Sequence, residues 1–273
     1  MKNNKQIVQN TEVKVSKAQL EFIRAHKNRM KKITIYQIII LIVFIGMWEV
    51  LADLKLINSF VFSSPSRIVK CFIDMASDGI IFYHIGVTLL ETFFSFFLVI
   101  VVGLLTAILL WWNDSISKVL EPYLVVLNSL PKSALAPVFI VWLGNNMKTI
   151  IVAAVSVAVF ATIINLYTDF KEVEEDKIKL IRTLGGNKKD ILFKVVIPSN
   201  IPSILSIMKV DIGLSLVGVI IGEFLAARAG LGYLIIYGSQ VFKLDWVMMS
   251  IVILCIMATA LYQILASIEK RFK

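Results

Sequence analysis

Six long apolar runs, separated by short polar segments, dominate the pattern of the chain. They cover about 33–52, 84–112, 119–143, 149–168, 203–226 and 247–266. Each holds the roughly twenty residues that a helix rising about 1.5 Å per residue needs to cross a hydrocarbon core of about 30 Å. The fourth and sixth runs carry no charge. The third contains Pro131, Lys132 and Pro137 and is expected to be broken or shielded from lipid there. The pattern predicts an all-α, polytopic membrane bundle of about six transmembrane helices.

The polar segments have structure of their own. Between the first two runs, Ser63-Ser64-Pro65-Ser66 is a turn signal, and Pro65 suits the first turn of a helix over about 66–76. Asn113-Asp114-Ser115 is a polar turn placed to cap the third membrane helix. The longest charged segment outside the N-terminus, residues 171–202, separates the fourth and fifth runs. Its acidic start (Glu172, Glu174, Glu175, Asp176) and its later Lys and Arg suit the two ends of a helix dipole. Gly185-Gly186 stops that helix, Asn187 can cap a second over 188–196, and Pro198 is expected to end it. Ile178, Ile181 and Leu184 share one face of the first helix. They either dock into a groove on a partner or pack on the chain's own membrane helices.

Charge gives the sidedness. With the N-terminus inside, segments 1–32, 113–118, 169–202 and 267–273 hold twenty Lys and Arg, against six in 53–83, 144–148 and 227–246. The positive-inside rule therefore predicts both termini and the charged hairpin on the cytoplasmic side. Composition agrees: 58% of the 273 residues are hydrophobic and 17% charged, with mean hydropathy +0.82, against about 45–50% and about 25% in soluble domains. The net charge of +9 is accounted for by inner-loop lysines, with no call for nucleic acid. The basic tail, residues 1–32, is either an amphipathic helix on the inner leaflet, closing at Lys31-Lys32, or a solvated arm. Residues 33–273 form the transmembrane domain.

Candidate chemistry is sparse. Two Cys and two His build no metal site of ordinary spacing. Gly185-Gly186-Asn187-Lys188 lacks the first glycine of a phosphate loop, and no nucleophile–base or metal-protease pattern occurs. No cofactor and no enzymatic activity are expected of this chain. In the fifth run Asp211, Ser215, Gly218, Gly222 and Ala226 form one narrow face, which packs either within the subunit or against a second one. Glu223 lies on the adjoining face as an outer gate, a helix tether or an interfacial glutamate. Glu49, Glu91 and His84 read as interfacial side chains, Asp211 as near enough to the cytoplasmic end to be solvated. Ala229-Gly230-Leu231-Gly232 can make a tight outer loop. Pro131 and Pro137, with Ser129 and Ser133, leave irregular backbone that suits a pathway-lining helix.

The hairpin also resembles a known signature. Gly185, nine further residues, then Val195-Val196-Ile197-Pro198 is similar to the cytoplasmic loop (EAA motif) of binding-protein-dependent ABC importer permeases. That signature runs Glu-Ala-Ala, three residues, Gly, nine residues, Ile-x-Leu-Pro; Lys179-Leu180-Ile181 replaces its start here. Residues 127–144, 217–235 and the turn near Pro65 resemble the sulfonate/taurine/nitrate branch of that family. The resemblance implies a permease subunit of an ATP-driven importer in the bacterial inner membrane, passing a small solute, such as a sulfonate-, taurine- or nitrate-type anion. Implied partners are a cytoplasmic ATP-binding subunit, a second permease subunit in a homodimer, and an extracytoplasmic solute-binding protein. The hairpin would supply the coupling helix between membrane helices four and five, with Ile178, Ile181, Arg182, Leu184, Gly185 and Pro198 as coupling residues. Pro131, Pro137, Ser215, Gly218, Gly222 and Glu223 would serve the pathway or gate. A permease for a thiamine pyrimidine precursor, or a secondary transporter, is the alternative; against the latter, the other half holds no second copy of the hairpin.

Overall fold

The computed structural model describes residues 17–270, and all regular structure among them is helical. The chain divides into two compact units, residues 1–59 and 60–273.

In the first unit, α1 (Lys17–Asp53) is one uninterrupted helix, and its stretch Ala25–Asp53 is long and apolar enough to cross a membrane. It runs straight through Lys31-Lys32, so the helix expected to close at that pair does not; no proline, glycine or capping residue stands there to stop it. The rest of the basic tail, residues 1–16, lies outside the described residues.

The second unit opens within a short turn, α2 (Ser59–Phe62), which is followed by α3 (Pro65–Ser77). Pro65 is at its first position, and the Ser64 hydroxyl caps it by accepting the Arg67 N–H at 3.5 Å. Then come α4 (Ile80–Trp112), α5 (Asp114–Ser129), α6 (Lys132–Leu143) and α7 (Met147–Lys171). Asn113 caps α5 by accepting from Ser115 and Ile116, as the polar turn predicted. The third apolar run is broken where expected. At Leu130-Pro131 the chain bends by 95° between α5 and α6, because proline offers no N–H to carry the ladder across. The charged hairpin folds as α8 (Glu175–Thr183) and α9 (Lys188–Ile191) and leads into α10 (Ile197–Ala226); α11 (Leu231–Gln240) and α12 (Leu244–Glu269) complete the unit.

One expectation fails here. Pro198 does not end the second hairpin helix. Residues Leu192–Val196 form a single wide π turn in which the Ile197 N–H reaches back five residues to the Leu192 carbonyl. The wider turn relieves the clash that the proline ring would make in a tight helix, and helix continues from Lys188 to Ala226.

The core lies where α4, α7 and α10 pack. Lipid tails are as apolar as leucine, so membrane helices associate through close packing and internal hydrogen bonds. Small residues make the approach possible. A β-carbon on Gly218 would sit 2.6 Å from the Ala154 Cα, and one on Gly222 would sit 3.0 Å from the Ile150 Cα, both on α7. Gly103 of α4 faces Thr162 of α7 in the same way. Towards one end of this trio Leu110, Leu166, Phe170, Leu192 and Val196 form a dense apolar cluster under the hairpin.

Gly218→Ala forces backbone against backbone. It is expected to destabilise the chain by about 1–3 kcal/mol and lower its Tm in detergent. Gly213→Ala, which meets open space, is expected to leave Tm unchanged or raise it. Equal effects of the two would contradict this packing.

Candidate functional site

The hairpin is held on the core by one face and leaves another free. Ile178 and Ile181 pack on the apolar cluster below. The sequence left the face they share with Leu184 open between a partner's groove and the chain's own helices; two of the three pack, half-buried, against the chain's own cluster. Leu184 is 75% exposed and Leu180 is 59% exposed, with Arg182 exposed beside them. Leu180 stands out only once Ile178 and Ile181 are seen to turn inward. The helix stops as expected. Gly185 has φ +80°, and the Gly186 N–H returns to the Ile181 carbonyl at 2.9 Å, the Schellman closure of an α-helix. Gly186 is required too, since a β-carbon there would meet the Ile181 carbonyl oxygen at 2.9 Å.

The next turn is locked on both sides. Asn187 and Asp190 form a reciprocal capping box. Lys188 Nζ donates to the Trp112 carbonyl at 2.6 Å and lies over the Trp111 and Trp112 rings, tying α9 to the end of α4. Ser203 of α10 donates to Asp169 of α7. Lys179, where the family pattern has glutamate, pairs with Glu175 at 3.2 Å within its own helix. Pro198 sits exposed in the first turn of α10.

At the opposite end of the bundle a polar knot surrounds Glu223, which is 1% exposed. Gly230, Leu231 and Gly232 begin α11, where backbone N–H groups have no intrahelical acceptor. Each finds one on α4 or α10. Gly230 donates to His84 Nδ1 at 3.0 Å, Leu231 to the Thr88 hydroxyl at 2.8 Å, and Gly232 to Glu223 Oε2. Thr88 in turn donates to Glu223 Oε1 at 2.7 Å. A carboxylate at a helix N-terminus is favourable on electrostatic grounds as well. The glycines admit it: Gly230 has φ +110°, and a β-carbon on either would strike the Glu223 carboxyl group. Of the readings open for Glu223, the tether is the one with this geometry.

Several assignments change. His84 and Glu91 are buried, against the interfacial positions expected of them. His84, Thr88, Glu91, Thr92 and Ser95 form a polar stripe at helical spacing on α4; the spacing was visible in the sequence, but the surrounding apolar run masks it. Asp211 is buried rather than solvated and accepts from Thr162 of α7 at 3.0 Å. The face carrying Asp211, Ser215, Gly218 and Gly222 lies against α7 of the same chain, so α10 spends it on internal packing. Pro131 and Pro137 are exposed along the bent α5–α6 pair.

A groove of about 680 Å³ at the same end runs between α3 and the start of α12. Asp245 crosses it, accepting from Ser63 at 2.6 Å and from Arg67 Nη2 at 2.7 Å. Cys71 lines it, and burial together with the nearby Asp245 and Asp74 pushes its thiol up to about 11. Among the described residues no cluster of His, Cys, Asp and Glu is arranged to hold a metal ion.

Residues 99–272 match the family described as binding-protein-dependent transport system inner membrane component. The chain is 31% identical over 186 residues to the formylaminopyrimidine transport permease protein of Halalkalibacterium halodurans, covering 68% of this chain and 74% of that one. It is 22% identical over 237 residues to the taurine transport system permease protein of Escherichia coli, covering 85% and 86%. Its fold is similar to that of a chain in inward-facing structures of the MetNI methionine ABC transporter, with TM-score 0.64 and 20% identity over 71% of this chain and 96% of that one.

Alkylation of Cys71 tests the groove. The thiolate is the nucleophile, so its rate is expected to climb about tenfold per pH unit from neutrality towards the raised value. Asp245→Asn removes a charge that raises that value, so it should speed alkylation at neutral pH. A rate flat with pH, or slowed by Asp245→Asn, would contradict the assignment.

Proposed function

The chain belongs to the family of binding-protein-dependent transport system inner membrane components, and from that premise we propose that it is the permease subunit of an ATP-driven importer whose α8–α9 hairpin receives the ATP-binding subunit. One observation carries the docking assignment. Leu180 and Leu184 stand exposed on a charged helix whose other face is anchored to the core. Two exposed leucines on a rigid stub fit an apolar groove on a partner. The positive-inside count supports a cytoplasmic location for this stub, where ATP is available. ATP hydrolysis falls to the partner, since this chain has no phosphate-loop pattern.

The hairpin is built to pass on a push. Ile178 and Ile181 bear on the cluster that includes Leu166, Phe170 and Val196, while Lys188 grips the end of α4. Movement of α8 would therefore reach α4, α7 and α10 together. The solute would cross beside a second permease subunit after delivery by a solute-binding protein. The bent α5–α6 pair, with Pro131 and Pro137 exposed, is a candidate lining, because non-helical backbone at membrane depth must face protein or water.

Two solute classes have support. A small sulfonate- or taurine-type anion follows from the branch resemblance and from the taurine permease relative. A neutral pyrimidine precursor has support from the formylaminopyrimidine permease relative. It also fits a groove of about 320 Å³ between α7 and α10, lined by Asn165, Thr168, Asp169 and Ser206 and without Lys or Arg. Such a lining offers donors and acceptors and no counter-charge for an anion.

Leu184→Asp puts a charge on the exposed edge and leaves the core untouched. It is expected to abolish co-purification of the ATP-binding subunit and to cut ATP hydrolysis stimulated by the solute-binding protein at least tenfold, with Tm of the permease unchanged. An intact complex with full stimulated hydrolysis would show that the hairpin is not the docking site.

A further inference from the structure

The knot at Glu223 contains a second carboxyl group that the capping of α11 does not use. Glu91 of α4 is 2% exposed and in hydrogen-bonding contact with Glu223. Among the described residues its buried Oε2 has no hydrogen-bond partner. Around the two carboxyls stand a threonine hydroxyl, backbone N–H groups, and a His84 whose Nδ1 accepts a hydrogen bond. The titratable neighbours are His84 on α4 and Tyr233 of α11, stacked on it. Among the described residues no Lys or Arg acts on either carboxyl. Two like charges in contact at membrane depth, with no cation beside them, cannot both persist. A hydrogen bond between two carboxyl groups itself requires a proton on one of them.

Further unpartnered oxygens lie along the same helices. Among the described residues, the buried side-chain atoms without a protein partner include Glu91 Oε2, Thr92 Oγ1, Ser95 Oγ, Ser215 Oγ and Asp211 Oδ2. Helix geometry sets their heights. At about 1.5 Å per residue, Ser95 lies about 6 Å along α4 from Glu91, and Ser215 and Asp211 lie about 12 and 18 Å along α10 from Glu223. The two helices run in register. Gly103 of α4, twelve residues past Glu91, meets Thr162, which donates to Asp211, twelve residues before Glu223. Measured along the helix axes, the orphan oxygens therefore recur about every 6 Å, a repeat that ordered water molecules can bridge. Buried water characteristically satisfies polar groups of this kind.

We propose that Glu91 and Glu223 hold one proton between them, and that Thr92, Ser95 and Ser215 bind a file of ordered water linking this pair to Asp211 inside the α4–α7–α10 core. Glu223 keeps the negative charge, because it receives the Thr88 hydroxyl and the Gly232 N–H; Glu91 carries the proton and donates a hydrogen bond to Glu223. The file lies within one subunit and ends at Asp211, which also lines the groove between α7 and α10.

Infrared spectroscopy of the full chain in lipid tests both parts. A carboxylic acid carbonyl band is expected at neutral pH, lost in Glu91→Gln and retained in Asp211→Asn. The Gln amide can still donate to Glu223, so Glu91→Gln is expected to melt within a few degrees of wild type. In D2O the wild-type band should shift promptly, and Ser95→Val, which fills a water position, should slow that exchange at least tenfold. Absence of the band, its survival in both Glu91→Gln and Glu223→Gln, or collapse of Tm in Glu91→Gln would overturn the shared proton. A band that does not exchange, or that exchanges equally fast in Ser95→Val, would overturn the water file.

Discussion

The close approach of α10 to α7 at Gly218 and Gly222 is the constraint on which the rest of this structure depends. With no side chain at either position, the α10 backbone rests on Ala154 and Ile150. That distance brings Asp211 within reach of Thr162 and holds Glu223 facing Thr88. In lipid an unmet polar group costs several kcal/mol, so such bonds must be completed inside the protein. The glycines make the completion possible, and the bonds then fix the register of the helices.

The two ends of this trio are finished differently. At one end Glu223, Thr88 and His84 take up the free N–H groups of α11, closing the bundle there. At the other end the hairpin is attached by apolar packing and by Lys188, with an exposed edge left over. A closed end and an open end suit a subunit that is moved from one side. The family to which the chain belongs makes that an inner-membrane component of a transport system.

Much of the fold was legible because the bilayer imposes simple rules on sequence. Five of the six apolar runs became single helices long and apolar enough to span, and the run carrying Pro131 became the bent pair. Gly185 stopped α8 as its type requires, and Pro65 opened α3. Pro198 misled, since a single wide turn absorbs a proline that a regular helix could not. The finer features of the sites were less legible. Periodicity puts Ile178, Ile181 and Leu184 on one side of α8 but does not reveal that the core claims the first two. His84 and Glu91 looked interfacial because position along an apolar run indicates depth, whereas burial depends on which helix lies opposite. Glu223 was singled out for its cost in the membrane, and its partners came from α11, nine residues on, and from α4, far away in sequence.

The central claim is that the exposed edge of α8 meets the ATP-binding subunit while its inner face serves the permease core. Disulfide cross-linking in the assembled complex tests it most directly, with single cysteines introduced as Leu184→Cys or Ile181→Cys and others along the apolar groove of the co-purified ATP-binding subunit. Rapid cross-linking from position 184 and none from position 181 is the expected result. Cross-linking from 181 instead, or from neither position in a complex that still hydrolyses ATP, would contradict the account.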